Sequence, residues 1–169
     1  MAATYEPIAT TTLNSTASGI TFSSIPNTYT DLKLIILYST LNPNNELIRF
    51  NSDSGTNYSF TTLYGNGSSA SSSVYSNTDS LRVDIGIGGT TPNSTDVAFV
   101  TVDIFNYSGS TYKPCLISTS GDFNGSGIST KTANVWRSTA AINTIYFYSN
   151  SSSNLVTGTK ATLYGIKAA

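Results

Sequence analysis

Apolar and polar residues alternate with a period of two in one segment after another of this chain, and clusters of Gly, Asn, Ser and Pro separate these segments. Successive side chains of a β-strand point to opposite faces of a sheet, so this alternation is typical of half-buried strands. No segment shows the 3.6-residue period of an amphipathic helix, and we predict no substantial helix. The predicted strands are 5–13, 19–25, 31–41, 46–51, 58–65, 81–87, 96–107, 112–120, 131–138, 142–150 and 159–168.

The spacing of these segments, roughly 8 to 15 residues, indicates a β-sandwich or a β-barrel. A chain of 169 residues suits one domain, 1–169, that can bury its apolar surface without disulfides or metals. Ser, Thr and Asn are abundant, but 11 Tyr and 7 Phe are interleaved with them. Because aromatic residues suit a pleated, half-buried surface, we expect an ordered chain.

Charge and hydropathy argue against two classes of partner. Charged residues make up 10% of the chain and the formal net charge is -1, whereas a nucleic-acid partner requires a basic face. The longest apolar run, 34–38, is far too short to span a bilayer, and no polybasic patch favours a membrane surface. Neither a secretory signal nor a possible disulfide is present, so we expect synthesis in a cytoplasm.

Residues for catalysis and metal binding are scarce. The chain has no His and one Cys, which excludes His-based triads and zinc sites of His or thiolate ligands. Cys115 has apolar neighbours and is predicted to be a buried, inert thiol. A pair of carboxylates such as Asp84 and Asp103 could still form a glycosidase site. We predict no enzyme, no cofactor and no metal, with glycan cleavage as a minor alternative.

Two strands have an unusual second face. In 31–41, Ile35 and Leu37 oppose a face that is itself apolar, which predicts a central strand covered on both sides. In 96–107, the second face mixes apolar and polar side chains, which suits a subunit contact better than open water. The members of that mixed face are Val97, Phe99, Thr101, Asp103 and Phe105.

Five residues are candidate partner contacts. Tyr5 and Ile8 belong to the first predicted strand, and Tyr75 lies in 65–80, a segment rich in Ser, Asn and Gly. We interpret that segment as a flexible surface loop, with an exposed contact tip as the alternative. Tyr146 and Tyr148 share an outward face, which fits cross-strand packing, an interface or a ligand platform.

Trp136 is the remaining aromatic residue of interest. Core packing and a sugar-binding platform are both compatible with its position, and core packing is the preferred interpretation. The last predicted strand places Leu163 on one face and Tyr164 and Ile166 on the other. We expect that strand to close the sandwich, which would protect it from fraying.

Five stretches, in this order, resemble a family of small proteins encoded by tailed bacteriophages, common in marine and cyanobacterial phages. The resemblance covers nearly the whole chain and implies a jelly-roll or related β-sandwich, usually trimeric, without catalytic residues to carry over. This chain is similar to the stand-alone members rather than to those at the ends of tail-fibre-like proteins. The stretches are "ATYEPIATTTL" (3–13), "ITFSSIPNTYTDLKLII" (20–36), "IRFNSDSGTNYSFTTLYGNGSSASSS" (48–73), "NVWRSTAAINTIYFY" (134–148) and "TLYGIKAA" (162–169).

The resemblance implies an antiparallel, jelly-roll-like virion protein. The expected function is a capsid decoration (cement) protein, bound to the head exterior as a homotrimer through the major capsid protein or other virion proteins. The alternative is a tail-fibre or receptor-binding module that recognises host-surface glycans. Under either interpretation the protein is made in the host cytoplasm and works on the assembled particle.

Overall fold

The structure, a computed structural model, describes residues 4–41, 45–83, 95–122, 125, 127–150 and 153–167. These residues form strands and no helix, as the alternation predicted. The strands are β1 (Tyr5–Thr12), β2 (Gly19–Phe22), β3 (Asp31–Tyr38), β4 (Glu46–Phe50), β5 (Tyr58–Gly65), β6 (Ala70–Thr78), β7 (Leu81–Arg82), β8 (Ala98–Ile104), β9 (Lys113–Asp122), β10 (Gly127–Trp136), β11 (Ile145–Ser149) and β12 (Lys160–Ile166).

The strands form two sheets in which every neighbouring pair is antiparallel. The large sheet has eight strands in the order β1-β12-β3-β8-β9-β10-β5-β6. The small sheet has four strands in the order β2-β11-β4-β7. The prediction of an all-β, antiparallel, single-domain sandwich is therefore confirmed.

Eight of the strands follow a jelly-roll path. Between β1 and β4 the chain alternates between the sheets at every strand, and the same alternation returns with β7, β8, β11 and β12. The resulting four-stranded groups, β1-β12-β3-β8 and β2-β11-β4-β7, are those of a jelly roll built from two Greek keys. We call these eight strands the jelly-roll half.

The other four strands are two inserted hairpins. The β5–β6 hairpin lies between β4 and β7 in the chain, and the β9–β10 hairpin lies between β8 and β11. Both hairpins join the large sheet beyond β8, where β9 pairs with β8 and β10 pairs with β5. We call these four strands the extension. It makes the large sheet twice as wide as the small one.

The core lies between the two sheets. Inward-facing aliphatic side chains from β3, β8 and β12 meet aromatic side chains of the small sheet, and Tyr38 contacts Phe147 edge-on with ring centroids 5.5 Å apart. Trp136, at the end of β10, is 2% exposed and packs on Phe50 and Tyr58. Core packing of Trp136 is thus confirmed. Cys115 is also buried, as predicted, and burial raises the pKa of its thiol.

One predicted loop is a strand. Residues 65–80 contain a short turn and then β6, which pairs with β5 along the edge of the large sheet. The prediction of a flexible loop is wrong there, because the hairpin ladder satisfies the backbone groups of a segment whose side chains are mostly exposed. The predicted strand 81–87 is observed only as β7, and its continuation from residue 84 lies outside the described residues.

The last described strand, β12, is interior to the large sheet and pairs with β1 on one side and β3 on the other. Leu163 is buried, whereas Tyr164 and Ile166 lie half-buried on the opposite face, as predicted. Gly165 faces the Tyr29 ring, and a Cβ at this position would clash with that ring. The strand is therefore held by pairing on both sides and by the contact of Gly165 with Tyr29.

Candidate functional site

The broadest exposed surface is the side of the large sheet that faces away from the small sheet, which we call the outer face. Leu37 and Phe99 are directly opposite each other on β3 and β8, and their side chains are 43% and 40% exposed. Leu116 on β9 and Leu63 on β5 extend this apolar surface across the extension. The outer face is therefore a sheet surface with large apolar side chains in contact with solvent.

The mixed face predicted for 96–107 belongs to the outer face. Thr101 is paired with Ile35, and Asp103 accepts a hydrogen bond from the ammonium of Lys33 at 2.5 Å. This ion pair lies between β3 and β8, and its two opposite charges cancel. Ile35 is half-buried, so β3 is central in its sheet but is not covered on its outer side by the described residues.

The dimensions of the outer face match those of a protein interface. Eight strands at a spacing of about 4.8 Å span about 34 Å, and seven residues at about 3.3 Å each span about 23 Å. The product, about 800 Å², is close to the area that one partner contributes to a stable interface. The face is chemically mixed, because large apolar side chains such as Leu37 and Leu63 lie beside the exposed Lys160 and Lys131.

Tyr146 and Tyr148 lie on the side of the small sheet that faces away from the core. Their rings stack in parallel, with centroids 4.7 Å apart and an interplanar angle of 3°. The guanidinium of Arg49 covers the Tyr148 ring at 5.0 Å and pairs with Asp79. Tyr148 is consequently only 9% exposed, so this pair is packed rather than open for a ligand.

The absence of a side chain at Gly19 makes that packing possible. Gly19 on β2 is paired with Tyr148, and a Cβ at Gly19 would lie 2.6 Å from the ring carbon Cε2 of Tyr146. The hydroxyls of Tyr146 and Ser18 are 3.4 Å apart. The two tyrosine rings therefore lie against the sheet surface instead of projecting from it.

Tyr75 lies on β6, which is one of the two edge strands of the large sheet. Its ring stacks on Phe60 at a centroid distance of 4.9 Å, and the guanidinium carbon of Arg82 lies 6.0 Å from the ring centre. These side chains line a cleft of about 160 Å³ together with Asp79 and Ser80. The cleft brings an exposed tyrosine edge close to charged and hydroxyl groups.

Tyr5 and Ile8 lie on β1, at the other edge of the large sheet from Tyr75. Tyr5 is 53% exposed, whereas Ile8 packs against the core, which leaves little of its side chain for a partner. The five predicted contact residues are thus in three separate places. The structure brings together Tyr146 with Tyr148 and no other pair among them.

Sequence reasoning missed part of the outer face. Leu63 and Leu116 were not identified, because their exposure depends on the orientation of two inserted hairpins. In β5 and β9, Leu63 and Leu116 are next in sequence to the buried Thr62 and Ile117, so the alternation places them on the outer face. This alternation was the sequence signal that could have identified them. Arg49 and Arg82 gave no sequence signal for their contacts with tyrosine rings.

Only one member of the suggested glycosidase pair lies among the described residues. Asp103 is bound to Lys33, and Asp84, its suggested partner in a glycosidase site, lies outside the described residues. Asp53 caps a turn, where it accepts hydrogen bonds from the Gly55 amide and the Trp136 indole. Those hydrogen bonds lower the pKa of Asp53, although desolvation opposes them as the largest single influence.

Within the described ranges, no group of three or more Cys, Asp and Glu side chains is placed to hold a metal ion. The described residues also contain no helix with the length and apolar character needed to cross a membrane.

Comparisons with known proteins give no relative for this chain. No protein-family model matches the sequence, and neither a curated protein nor a solved structure matches it.

Proposed function

We propose that this chain is a structural protein of a tailed-bacteriophage particle, a capsid decoration protein that binds the head exterior as a homotrimer. The outer face is the observation that carries the proposal, because it offers about 800 Å² of sheet surface on which large apolar side chains are exposed. Contacts of this kind, repeated in a trimer, give high avidity without any single strong contact. The motifs that resemble small phage virion proteins supply the particle context.

The location of the chain in the particle tests the proposal directly. Electron microscopy of particles of the encoding phage, with and without the gene for this chain, would show additional density on the head. Purified protein added to the deficient particles restores that density under the proposal. Density that appears only at the tail contradicts it.

The outer face can be tested with two matched variants. Phe99→Lys places a charge on the outer face, whereas Tyr112→Lys places one at a residue outside the strands that is 55% exposed. We expect Phe99→Lys to lose both the trimer mass in light scattering and the binding to deficient particles. Tyr112→Lys retains both. Equal behaviour of the two variants would remove the outer face from the proposal.

A second candidate function is recognition of a host-surface glycan at the Tyr75 cleft. The exposed ring edge and hydroxyl of Tyr75, with Asp79 and Ser80 nearby, can contact sugar hydroxyls. Phe60 already stacks on the ring and the Arg82 guanidinium lies over it, which is why this function ranks second. A glycan array with the wild type and Tyr75→Ala tests it, and binding that persists in the variant excludes the cleft.

A further inference from the structure

The edge strand β6 has one hydrogen-bonded neighbour among the described residues, which is β5. Its sequence, ASSSVYSNT, contains no charged residue and no proline over nine positions. An edge strand of this length presents a row of backbone N–H and C=O groups that can pair with another strand. Natural proteins usually protect such edges with charges, proline or bulges.

The opposite edge of the same sheet has such protection. In β1, Pro7 removes a backbone donor, and the register shifts between Pro7 and Ala9. Glu6 in the same strand forms an ion pair with Lys167, with Nζ and Oε1 2.9 Å apart. The irregularity in the β5–β6 ladder lies between Tyr58 and Phe60, so it leaves the Ala70–Tyr75 part of β6 regular.

The hairpin turn fixes which backbone groups of β6 point away from β5. The Asn66 amide donates to the Ser69 carbonyl, so the backbone groups of Ser69 point towards β5. These directions alternate along a strand. The N–H and C=O groups of Ala70, Ser72 and Val74 therefore point outward, beyond the edge of the sheet.

We propose that β6 pairs antiparallel with β6 of a second copy of this chain, across a two-fold axis at Ser72. In this register Ser72 faces Ser72 of the second copy, and Ala70 faces Val74. All three residues present outward backbone groups, so the pairing forms about six backbone hydrogen bonds. The two large sheets become one continuous sheet through both chains.

The side chains of β6 favour a second copy as the occupant. A strand without charges meets no like-charge repulsion when it pairs with itself. Val74 is 70% exposed, and the register places it beside Ala70 of the second copy, where its apolar surface is partly covered. The small serine side chains between them offer no steric obstacle. A two-fold, self-complementary contact of this type is the commonest arrangement in homo-oligomers.

This inference does not rest on the proposed function. It uses the edge of the large sheet and leaves the outer face open for the proposed trimer. Pairing of β6 doubles the mass of a monomer, and it doubles the mass of a trimer when the three β6 edges of one trimer meet those of a second trimer. A failure of the pairing leaves the head location untouched, and a tail location leaves the pairing untouched, so the two experiments fail separately.

Charge substitutions at Ser72 test the pairing. In Ser72→Lys and in Ser72→Glu, two like charges lie directly opposite each other across the two-fold axis, which disfavours the pair. We expect the wild-type mass in sedimentation equilibrium to double with concentration, and each variant to associate roughly fivefold or more weakly. An equimolar mixture of the two variants regains the doubled mass, because opposite charges then face each other. Tyr112→Lys, at an exposed residue outside the strands, serves as the control and doubles like the wild type.

Hydrogen exchange of the wild type gives a readout that needs no variant. The Ser71 and Ser73 amides, bonded to β5, should exchange slowly at every concentration. The Ser72 and Val74 amides should become protected only as the mass doubles. Protection of Ser72 at every dilution would mean that the chain covers its own edge. That result overturns the proposal, and so does a wild-type mass that never doubles or a Ser72→Lys variant that associates normally.

Discussion

The inner faces of the two halves of the large sheet differ in chemistry. In the jelly-roll half, the inward side chains of β3, β8 and β12 are aliphatic and fully buried, as Leu34, Val102 and Leu163 illustrate. In the extension, strands of similar length bury polar side chains. These buried polar residues are Thr62, Lys113, Thr119, Thr130, Thr132 and Asn134.

This difference changes what holds each half together. Burying a large aliphatic side chain contributes about 1.5 to 3 kcal/mol, whereas a buried hydroxyl must recover its lost hydration through a hydrogen bond. Thr62 and Thr132 bond to each other at 2.9 Å, and Thr119 donates to the Val83 carbonyl at 2.7 Å. We infer that hydrophobic burial dominates the stability of the jelly-roll half, whereas in the extension strand pairing and hydroxyl bonds add to the aromatic packing of Tyr58 and Trp136.

The largest effect should follow truncation of β12, which pairs with β1 and β3 and contributes Leu163 to the core. Deleting 163–169 removes the pairing partner of both β1 and β3 and takes Leu163 out of the core. We expect no soluble, cooperatively folded protein, as judged by expression and by thermal melting in circular dichroism. A soluble product with an unchanged melting temperature would show that β12 is dispensable.

Glu46 should give the jelly-roll half a distinctive pH dependence. Burial raises the pKa of Glu46 to about 8, and hydrogen bonds from Tyr38 (3.0 Å) and Ser149 (3.5 Å) offset this only in part. The folded protein therefore binds a proton that the unfolded chain releases near pH 4.5. The stabilisation is complete below pH 4.5 and is lost as pH rises to about 8, on the order of 5 kcal/mol in total.

Glu46→Gln isolates this contribution, because the amide cannot ionise and has nearly the same shape. The difference in unfolding free energy between the wild type and Glu46→Gln should shift in favour of the variant between pH 5 and pH 9. Denaturant unfolding at a series of pH values measures it. A constant difference across this range would mean that Glu46 is not protonated in the folded protein near neutral pH.

Truncations of buried side chains should compare the two halves directly. Leu34→Ala removes a fully buried side chain from the jelly-roll half and should cost about 2 to 5 kcal/mol of unfolding free energy. Thr130→Val replaces a buried hydroxyl that has no hydrogen-bond partner among the described residues. Because no bond is lost, we expect Thr130→Val to be neutral or stabilising. Denaturant unfolding of both variants checks this, and a large loss in Thr130→Val would contradict the contrast between the halves.

The same contrast explains which parts of the fold were predictable from the sequence. In β3 and β8, alternate residues enter the aliphatic core, so the period of two is strong and both strands were predicted. In β6 nearly all side chains are exposed. No apolar period can arise there, so the strand was interpreted as a loop.

A turn signal for β6 was nevertheless present. Gly67 and Ser68 are the two central residues of the hairpin turn, and Gly67 has a φ of 84°, as a two-residue turn with Gly in the first position requires. The Asn66 side-chain oxygen accepts hydrogen bonds from the Ser68 and Ser69 amides, which stabilises the turn. Local turn chemistry therefore located this hairpin better than the composition of the 65–80 segment.

The candidate contact residues were less predictable than the fold. The outward direction of Tyr146 and Tyr148 follows from their alternation with Ile145 and Phe147, and the structure agrees. The cover that Arg49 gives to Tyr148 depends on the register between β4 and β11. Likewise, the distance between Tyr5 and Tyr75 is set by the strand order of the large sheet. Long-range pairing of this kind is not encoded in any single segment.

The hydroxyl pair of the extension gives the smallest expected effect and the sharpest comparison with the aliphatic core. Thr62→Val or Thr132→Val alone leaves the other buried hydroxyl without its 2.9 Å partner and should cost about 1 to 3 kcal/mol. The double variant removes both hydroxyls, restores an apolar pair and should be close to neutral. Denaturant unfolding of the four proteins forms a double-mutant cycle, in which the coupling energy equals the sum of the two single losses, about 2 to 6 kcal/mol. Additive losses would mean that the two hydroxyls are stabilised by separate partners and not by their mutual bond.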